Sequence, residues 1–162
     1  DLGKYVEQMI QQQLSDSIST NGVTVKVEQY GSDLSICKNG IPAYYIEVKS
    51  RWGTDQSVMM TPLQMRQSVD EANNYALCCV DMSHCKFSDD DEHVYPPLEE
   101  VLPFIKVLLN IGNLNRDVAD IANGVNNRPV HIGGDFKCVV PQATISHGVE
   151  FNSLIDDIVS KV

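Results

Sequence analysis

Residues 33–49 read DLSICKNGIPAYYIEVK. The second half, IPAYYIEVK, has the composition of a strand, rich in Tyr, Ile and Val with no breaker after Pro42. Side chains along a strand alternate between its faces. Tyr44, Ile46 and Val48 therefore make one apolar face, and Ala43, Tyr45, Glu47 and Lys49 share the other. A carboxylate and an ammonium thus stand side by side in a strand that otherwise reads as buried. Buried charge is costly unless it is paired or bound to a metal. The strand carries either a structural ion pair or chemistry.

A second carboxylate bears on that choice. Asp33 opens the preceding strand, DLSICK, and Asn39-Gly40 is a strong hairpin-turn signal. With a plain two-residue turn, Lys38 pairs with Ile41, and Asp33 falls opposite Ile46, facing away from Glu47. With a three-residue loop over 39–41 and a bulge, Asp33 pairs with Glu47 and both share a face. A catalytic pair requires that bulge, or an equivalent kink near Asp33; a structural ion pair does not. Two adjacent carboxylates can hold one Mg²⁺ or Mn²⁺, which commonly keeps waters and takes a substrate phosphate. Such an ion polarises the phosphoryl oxygen and lowers the pKa of water. Lys49 would orient that water or neutralise charge in the transition state.

Asp33, thirteen intervening residues and Glu47-Val48-Lys49 together resemble the D…E-x-K motif of the PD-(D/E)xK nuclease superfamily, which includes restriction endonucleases and Mrr-like enzymes. The likeness is to the NO VEIN C-terminal-like domain in particular. Gly3-Lys4-Tyr5-Val6-Glu7 resembles its opening helix, and Tyr45-Ile46-Glu47-Val48-Lys49-Ser50 its central strand. Thr61-Pro62-Leu63-Gln64, then residues 72–75 and an apolar strand, resemble its second helix and next strand. The resemblance spans residues 3–82, with Gln64 standing where a Glu would also fit. It implies a metal-dependent nuclease acting on DNA, with RNA as the second substrate class, and with Asp33, Glu47 and Lys49 catalytic. The parent chain would then be a nucleic-acid-processing or defence protein.

Length and composition set the bounds. A chain of 162 residues with 43% hydrophobic residues suits one domain with a real core. It begins at Asp1 without Met, as a piece excised from a longer parent would. No run of about 18 apolar residues could span a bilayer, so no membrane partner is expected. The five cysteines, Cys37, Cys78, Cys79, Cys85 and Cys138, are odd in number and mostly sit in apolar strands. They read as reduced core thiols of a cytoplasmic protein. The net charge of −10 argues against a nuclease, because affinity for nucleic acid comes mainly from Lys and Arg on phosphates. The excess is local, though: SDDDE at 88–92 carries much of it, while Lys38, Lys49, Arg51 and Arg66 cluster near the candidate site.

In chain order, residues 3–18 read as an amphipathic helix with Tyr5, Val6, Met9, Ile10 and Leu14 inward. Glu7 lies off that stripe, as a solvated residue or a ligand leaning toward the metal. Residues 23–30 alternate as a strand, and Gly31-Ser32 breaks it before Asp33. After Lys49, Arg51 is placed to meet phosphate, and Trp52 either stacks on a base or packs over its loop. Residues 57–60 form a short extended segment. Thr61 caps a helix with Pro62 at its first position; Gln64 and Arg66 follow in its first turns. Gln64 would aim at the water or the phosphate, and Arg66 at the substrate, or both are exposed helix residues. Residues 75–82, YALCCVDM, are apolar but for Asp81, as a strand buried on both faces. An acidic excursion over 83–100 holds His84 and His93, neither given a role. Residues 98–109 read as a helix kinked at Pro103, and 118–122 as a short helix. Residues 128–132 and 136–140 read as strands around Gly133-Gly134. Residues 151–162 close as a helix with Phe151, Leu154, Ile155, Ile158 and Val159 inward.

The expected fold is α/β and restriction-endonuclease-like: a mixed sheet of four or five strands flanked by helices, with a C-terminal helical extension. Residues 1–85 would be the nuclease-like core, and 86–162 an extension packed on it. The catalytic candidates are Asp33, Glu47, Lys49 and Gln64. The metal candidates are Asp33, Glu47 and Glu7, for Mg²⁺ or Mn²⁺. The substrate-binding candidates are Arg51, Trp52 and Arg66. Expected partners are DNA or RNA, the rest of the parent chain and a second copy as a homodimer. The alternative is a non-catalytic module of the same fold for nucleic-acid or protein contacts, with Glu47 and Lys49 as a buried ion pair.

Overall fold

The computed structural model describes residues 2–18, 20–85, 96–126, 128–133 and 135–162. Helix α1 (Leu2–Ile18) buries Val6, Ile10, Leu14 and Ile18, one residue per turn along one stripe. Strands β1 (Val23–Val27), β2 (Leu34–Lys38) and β3 (Ile41–Arg51) follow as an antiparallel meander. A short strand β4 (Val58–Met60) leads to helix α2 (Pro62–Asp70) and then strand β5 (Tyr75–Asp81). Strand β5 returns parallel to β3, which places it beside the centre of β3 rather than at an edge. Strand β6 (Ile105–Leu108) pairs antiparallel with β5, giving a mixed five-stranded sheet in the order β1-β2-β3-β5-β6. Strand β7 (Cys138–Val140) pairs with β4 in a separate two-stranded ribbon.

The sheet is covered on both faces. Leu34, Ile36, Tyr44, Ile46 and Val48 pack against α1 and the C-terminal helix α6 (Phe151–Lys161). Tyr75, Leu77 and Cys79 point the other way, toward α2, α4 (Ile111–Asn126) and the ribbon. Strand β5 is therefore apolar on both sides, as its composition predicts. Tyr44 donates to Asp157 on α6 at 2.6 Å, tying the middle of β3 to the last helix. The α/β class and the mixed five-stranded sheet agree with the expectation from sequence.

The second half departs from it in several places. Residues 98–109 are not one helix. Helix α3 (Leu98–Val101) gives way to a 3₁₀ turn (Leu102–Phe104), and the chain then extends as β6. Pro103 offers no N–H to an interior helical turn. Ile105 and Val107, freed from the helix, bury against the α1/α6 side of the sheet. Helix α4 starts seven residues before the short helix expected at 118–122, because Gly112, Asn113 and Asn115 weaken its helical signal. Residues 128–132 form no strand, and only Cys138–Val140 of the second candidate does. Val159 is 62% exposed rather than inward. The acidic run at 88–92, His93 and Gly134 lie outside the described residues. All five cysteines are free thiols, four of them buried. Among the described residues no helix is long and apolar enough to cross a membrane.

Candidate active site

The hairpin register decides where Asp33 points. The turn is the plain two-residue one: Lys38 pairs with Ile41, and Asn39 and Gly40 take φ of 51° and 81°. By itself that would send Asp33 away from Glu47. However, the register shifts between Cys37, opposite Pro42, and Ile36, opposite Tyr44. Ala43 is the extra residue, a β-bulge two pairs in from the turn. From there Leu34 pairs with Ile46, which carries Asp33 to the level of Glu47. The bulge is therefore present, but within β3 rather than in an enlarged loop.

Asp33 is anchored to β3 twice. Its amide donates to the Ile46 carbonyl at 3.1 Å, and its Oδ2 accepts from the Val48 amide at 2.7 Å. The approach to Asp33 is held as well. Gly31 has φ of +75°, and a Cβ there would lie 2.6 Å from Gln67 Oε1 on α2. Tyr75, buried in β5, donates to the Gly31 carbonyl at 2.7 Å.

Glu47 is 2% exposed and its Oε1 is fully engaged. Lys49 Nζ lies 2.9 Å away, and Gln64 Nε2 donates at 2.6 Å. Gln64 is held by the start of α2. Its Oε1 accepts from the Thr61 amide at 2.9 Å, while the Thr61 hydroxyl accepts from the Gln64 amide at 3.2 Å, a capping box. The same Oε1 accepts from Lys49 Nζ at 3.3 Å. Gln64 thus bridges Glu47 and Lys49, and a Glu in its place would set a second carboxylate against Glu47. The other Glu47 oxygen, Oε2, is buried and meets no hydrogen-bond partner.

The electrostatics follow from this crowding. Burial raises the Glu47 pKa to about 7, with the nearby Asp33 charge adding to it and Lys49 opposing. Burial also raises Asp33, against the Val48 amide, the cations Lys49 and Lys4, and a hydrogen bond with Glu47. Glu7 on α1 is raised by burial and then by Asp33, with Lys4 and Lys49 opposing. Three acids therefore surround one partly buried cation, Lys49, and one exposed one, Lys4.

The model of the family described as Protein NO VEIN, C-terminal matches residues 4–94, more than half of the chain. The chain belongs to this family. No curated protein and no solved structure matches it. Within the NO VEIN C-terminal match lie Glu7, Asp33, Glu47, Lys49, Arg51, Trp52, Gln64 and Arg66.

The other candidates of this family member fall in different places. Arg51 ends β3 on the same face as Glu47 and Lys49, half-buried. Trp52 donates to Ser50 Oγ at 3.0 Å and packs against the α1/α6 core, across the sheet from Lys49. Arg66 is exposed on α2. Two neighbours have no site signal in the sequence. Lys4 sits on the exposed side of α1, and Tyr75 is one tyrosine in an apolar strand. Only the tertiary fold brings them to the carboxylates.

The donor set offers a divalent cation two carboxylates rather than three. Among the described residues no group of three or more His, Cys, Asp or Glu side chains is gathered closely enough to hold a metal ion, so Glu7 does not complete a three-carboxylate cage. Asp33 and Glu47 remain as two oxygen donors, and Mg²⁺ is commonly bound by one or two carboxylates with waters and phosphate. The unpartnered, buried Glu47 Oε2 beside Asp33 fits that coordination.

Proposed function

We propose that this NO VEIN C-terminal domain is a metal-dependent nuclease that hydrolyses phosphodiester bonds, in DNA or RNA. One observation carries the reading: the Ala43 bulge turns Asp33 to the level of Glu47, whose second oxygen is buried without a partner. Asp33 and Glu47 would hold Mg²⁺ or Mn²⁺. When bound, the ion would act as a Lewis acid on the phosphoryl oxygen and lower the pKa of water. Glu47 and Gln64 hold the Lys49 ammonium at 2.9 and 3.3 Å, so its charge is pre-oriented toward the carboxylates. There it offsets negative charge developing on the phosphoryl oxygens as water attacks phosphorus and the ester oxygen leaves. Gln64 is a positioning residue that fixes both Glu47 and Lys49. Glu7 and Lys4, at the rim, set the local potential.

The test is cleavage of plasmid and single-stranded DNA in Mg²⁺ or Mn²⁺ by wild type and Lys49→Ala, with metal binding followed by calorimetry. Lys49→Ala is expected to abolish cleavage while fold and metal binding persist. A second reading, a non-catalytic module, draws on the net charge of −10 and on the formed Lys49–Glu47 pair. Absence of both cleavage and metal binding at millimolar ion would select it.

A further inference from the structure

Beyond Lys49, the same face of the sheet carries a second group of cations. Lys49 pairs laterally with Cys79 on β5, and Cys79 with Lys106 on β6. Registered neighbours point to the same side, so Lys49 and Lys106 flank Cys79, about 10 Å apart across two strand spacings. Arg51 lies one two-residue step, about 7 Å, along β3 from Lys49. Arg51 and Lys106 line a cavity of about 210 Å³, with Cys79 in its wall and Gln56 and Gln142 at its sides.

The cavity is cationic in effect. Arg51 and Lys106 outnumber its one carboxylate, Asp81, which registers beside Arg51 and whose Oδ1 accepts from the Ser83 amide at 2.9 Å and from the Ser83 hydroxyl at 2.6 Å. Among the described residues neither Arg51 nor Lys106 forms a salt bridge. Arg51 Nε is buried and meets no hydrogen-bond acceptor. A buried guanidinium nitrogen without an acceptor is costly, and an oxyanion is the group that satisfies it.

We infer that this cavity is a phosphate subsite, taking the backbone phosphate next to the one at Asp33, Glu47 and Lys49. The step between Lys49 and Arg51 is comparable to the separation of neighbouring phosphates on one strand. The identity of the ligand as a nucleic-acid strand rests on the nuclease reading; the anion site itself rests on Arg51 and Lys106. Lys106 lies beyond the family match and carries no motif.

The test is anisotropy of a labelled single-stranded oligonucleotide in EDTA, across a salt series, with wild type, Lys106→Gln and Arg51→Gln. Lys106→Gln, at a half-exposed position, keeps the test valid if Arg51→Gln destabilises the fold. Each lost phosphate contact should reduce the salt slope by about 0.7, which is roughly fivefold in affinity at 0.1 M salt. Mg²⁺ binding by Lys106→Gln should stay at the wild-type level. A Lys106-dependent affinity without any cleavage by wild type would support the subsite and count against the nuclease. Cleavage with wild-type affinity and slope in both variants would overturn the subsite and leave the nuclease standing. No oligonucleotide binding by wild type would overturn the subsite, as would inorganic phosphate or a mononucleotide binding as tightly as the oligonucleotide.

Discussion

Replacing Glu47 with Gln separates a site built for a cation from a structural ion pair by the sign of one stability change. The carboxyl is raised from its ordinary 4.5 to about 7 because it is 2% exposed and lies beside Asp33. A raised folded-state pKa means the folded protein binds the proton more tightly than the unfolded chain. The stability this contributes is fully present below pH 4.5 and lost as pH rises through about 7. At 1.36 kcal/mol per pKa unit, metal-free protein gives up about 3 kcal/mol across that window. Glutamine mimics the neutral acid, and its carbonyl can still accept from Gln64. It forfeits the pair with Lys49, whose side chain is 23% exposed and so regains part of its hydration. In EDTA at pH 8, Glu47→Gln should therefore be more stable than wild type by about 1–3 kcal/mol, roughly 3–10 °C in Tm. The gap should close toward pH 5. Adding Mg²⁺ should raise the Tm of wild type and leave the variant unmoved. Thermal and urea denaturation at both pH values read this directly. A Glu47→Gln variant less stable than wild type at pH 8 would refute the reasoning, because the carboxylate would then be a net contributor to the fold.

Two further changes test the supports of the site. Gln64→Glu keeps the N3 side of the capping box but removes the donor 2.6 Å from Glu47 Oε1. In EDTA at pH 8 it should cost about 1–3 kcal/mol of stability, and Mg²⁺ should recover much of it; an unchanged urea midpoint would show that the bridge contributes nothing. Gly31→Ala meets both a φ of +75° and Gln67 Oε1 at 2.6 Å. An unstrained Gly→Ala change stabilises by about 0.4–1 kcal/mol, whereas this one should destabilise by more than about 1 kcal/mol, with Gln67→Ala in the same chain restoring part of the loss; no additional recovery in the double variant would contradict the close approach.

How much of this was legible in the sequence depended on how local the cause was. Alternation in IPAYYIEVK was enough to put Glu47 and Lys49 on one face, and Thr61-Pro62 marked the start of α2. The hairpin was legible, but not its register. Asn39-Gly40 specifies the turn and says nothing of Ala43, which looks like any strand residue and becomes a bulge only when both strands pack. Strand β6 was misread for the opposite reason. LEEVLPFIKVLL carries a helical run and a strand run in succession, and only pairing with Cys78 and Cys79 decides where one ends. Lys106 turns on that boundary: it would sit on a helix surface were 98–109 one helix, and as part of β6 it lies beside Cys79 and lines a cavity with Arg51. Lys4 and Tyr75 were invisible as site neighbours because Asp33, which both adjoin, lies more than 25 positions away from either.

The arrangement around Glu47 also weighs on the choice between pair and site. An ion pair selected for stability would engage both carboxylate oxygens and stand clear of other acids. Here the donors converge on Oε1, and Oε2 is buried with no donor, with the Asp33 carboxyl as the group a protonated Glu47 would bond. Asp33 is brought alongside by a bulge and fixed by the Val48 amide, which raises the proton affinity of Glu47 rather than relieving it. Glu7 adds a third negative group at the rim. A protein seeking only to neutralise Lys49 needs none of this. The surplus of negative charge is what a divalent cation would compensate, and Arg51 and Lys106, beyond Lys49 on the same face, are the cations the proposed phosphate subsite would use. The net charge of −10 is unevenly spread over the site: Asp33, Glu47 and Glu7 outnumber Lys49 and Lys4, while a step further on Arg51 and Lys106 outnumber Asp81.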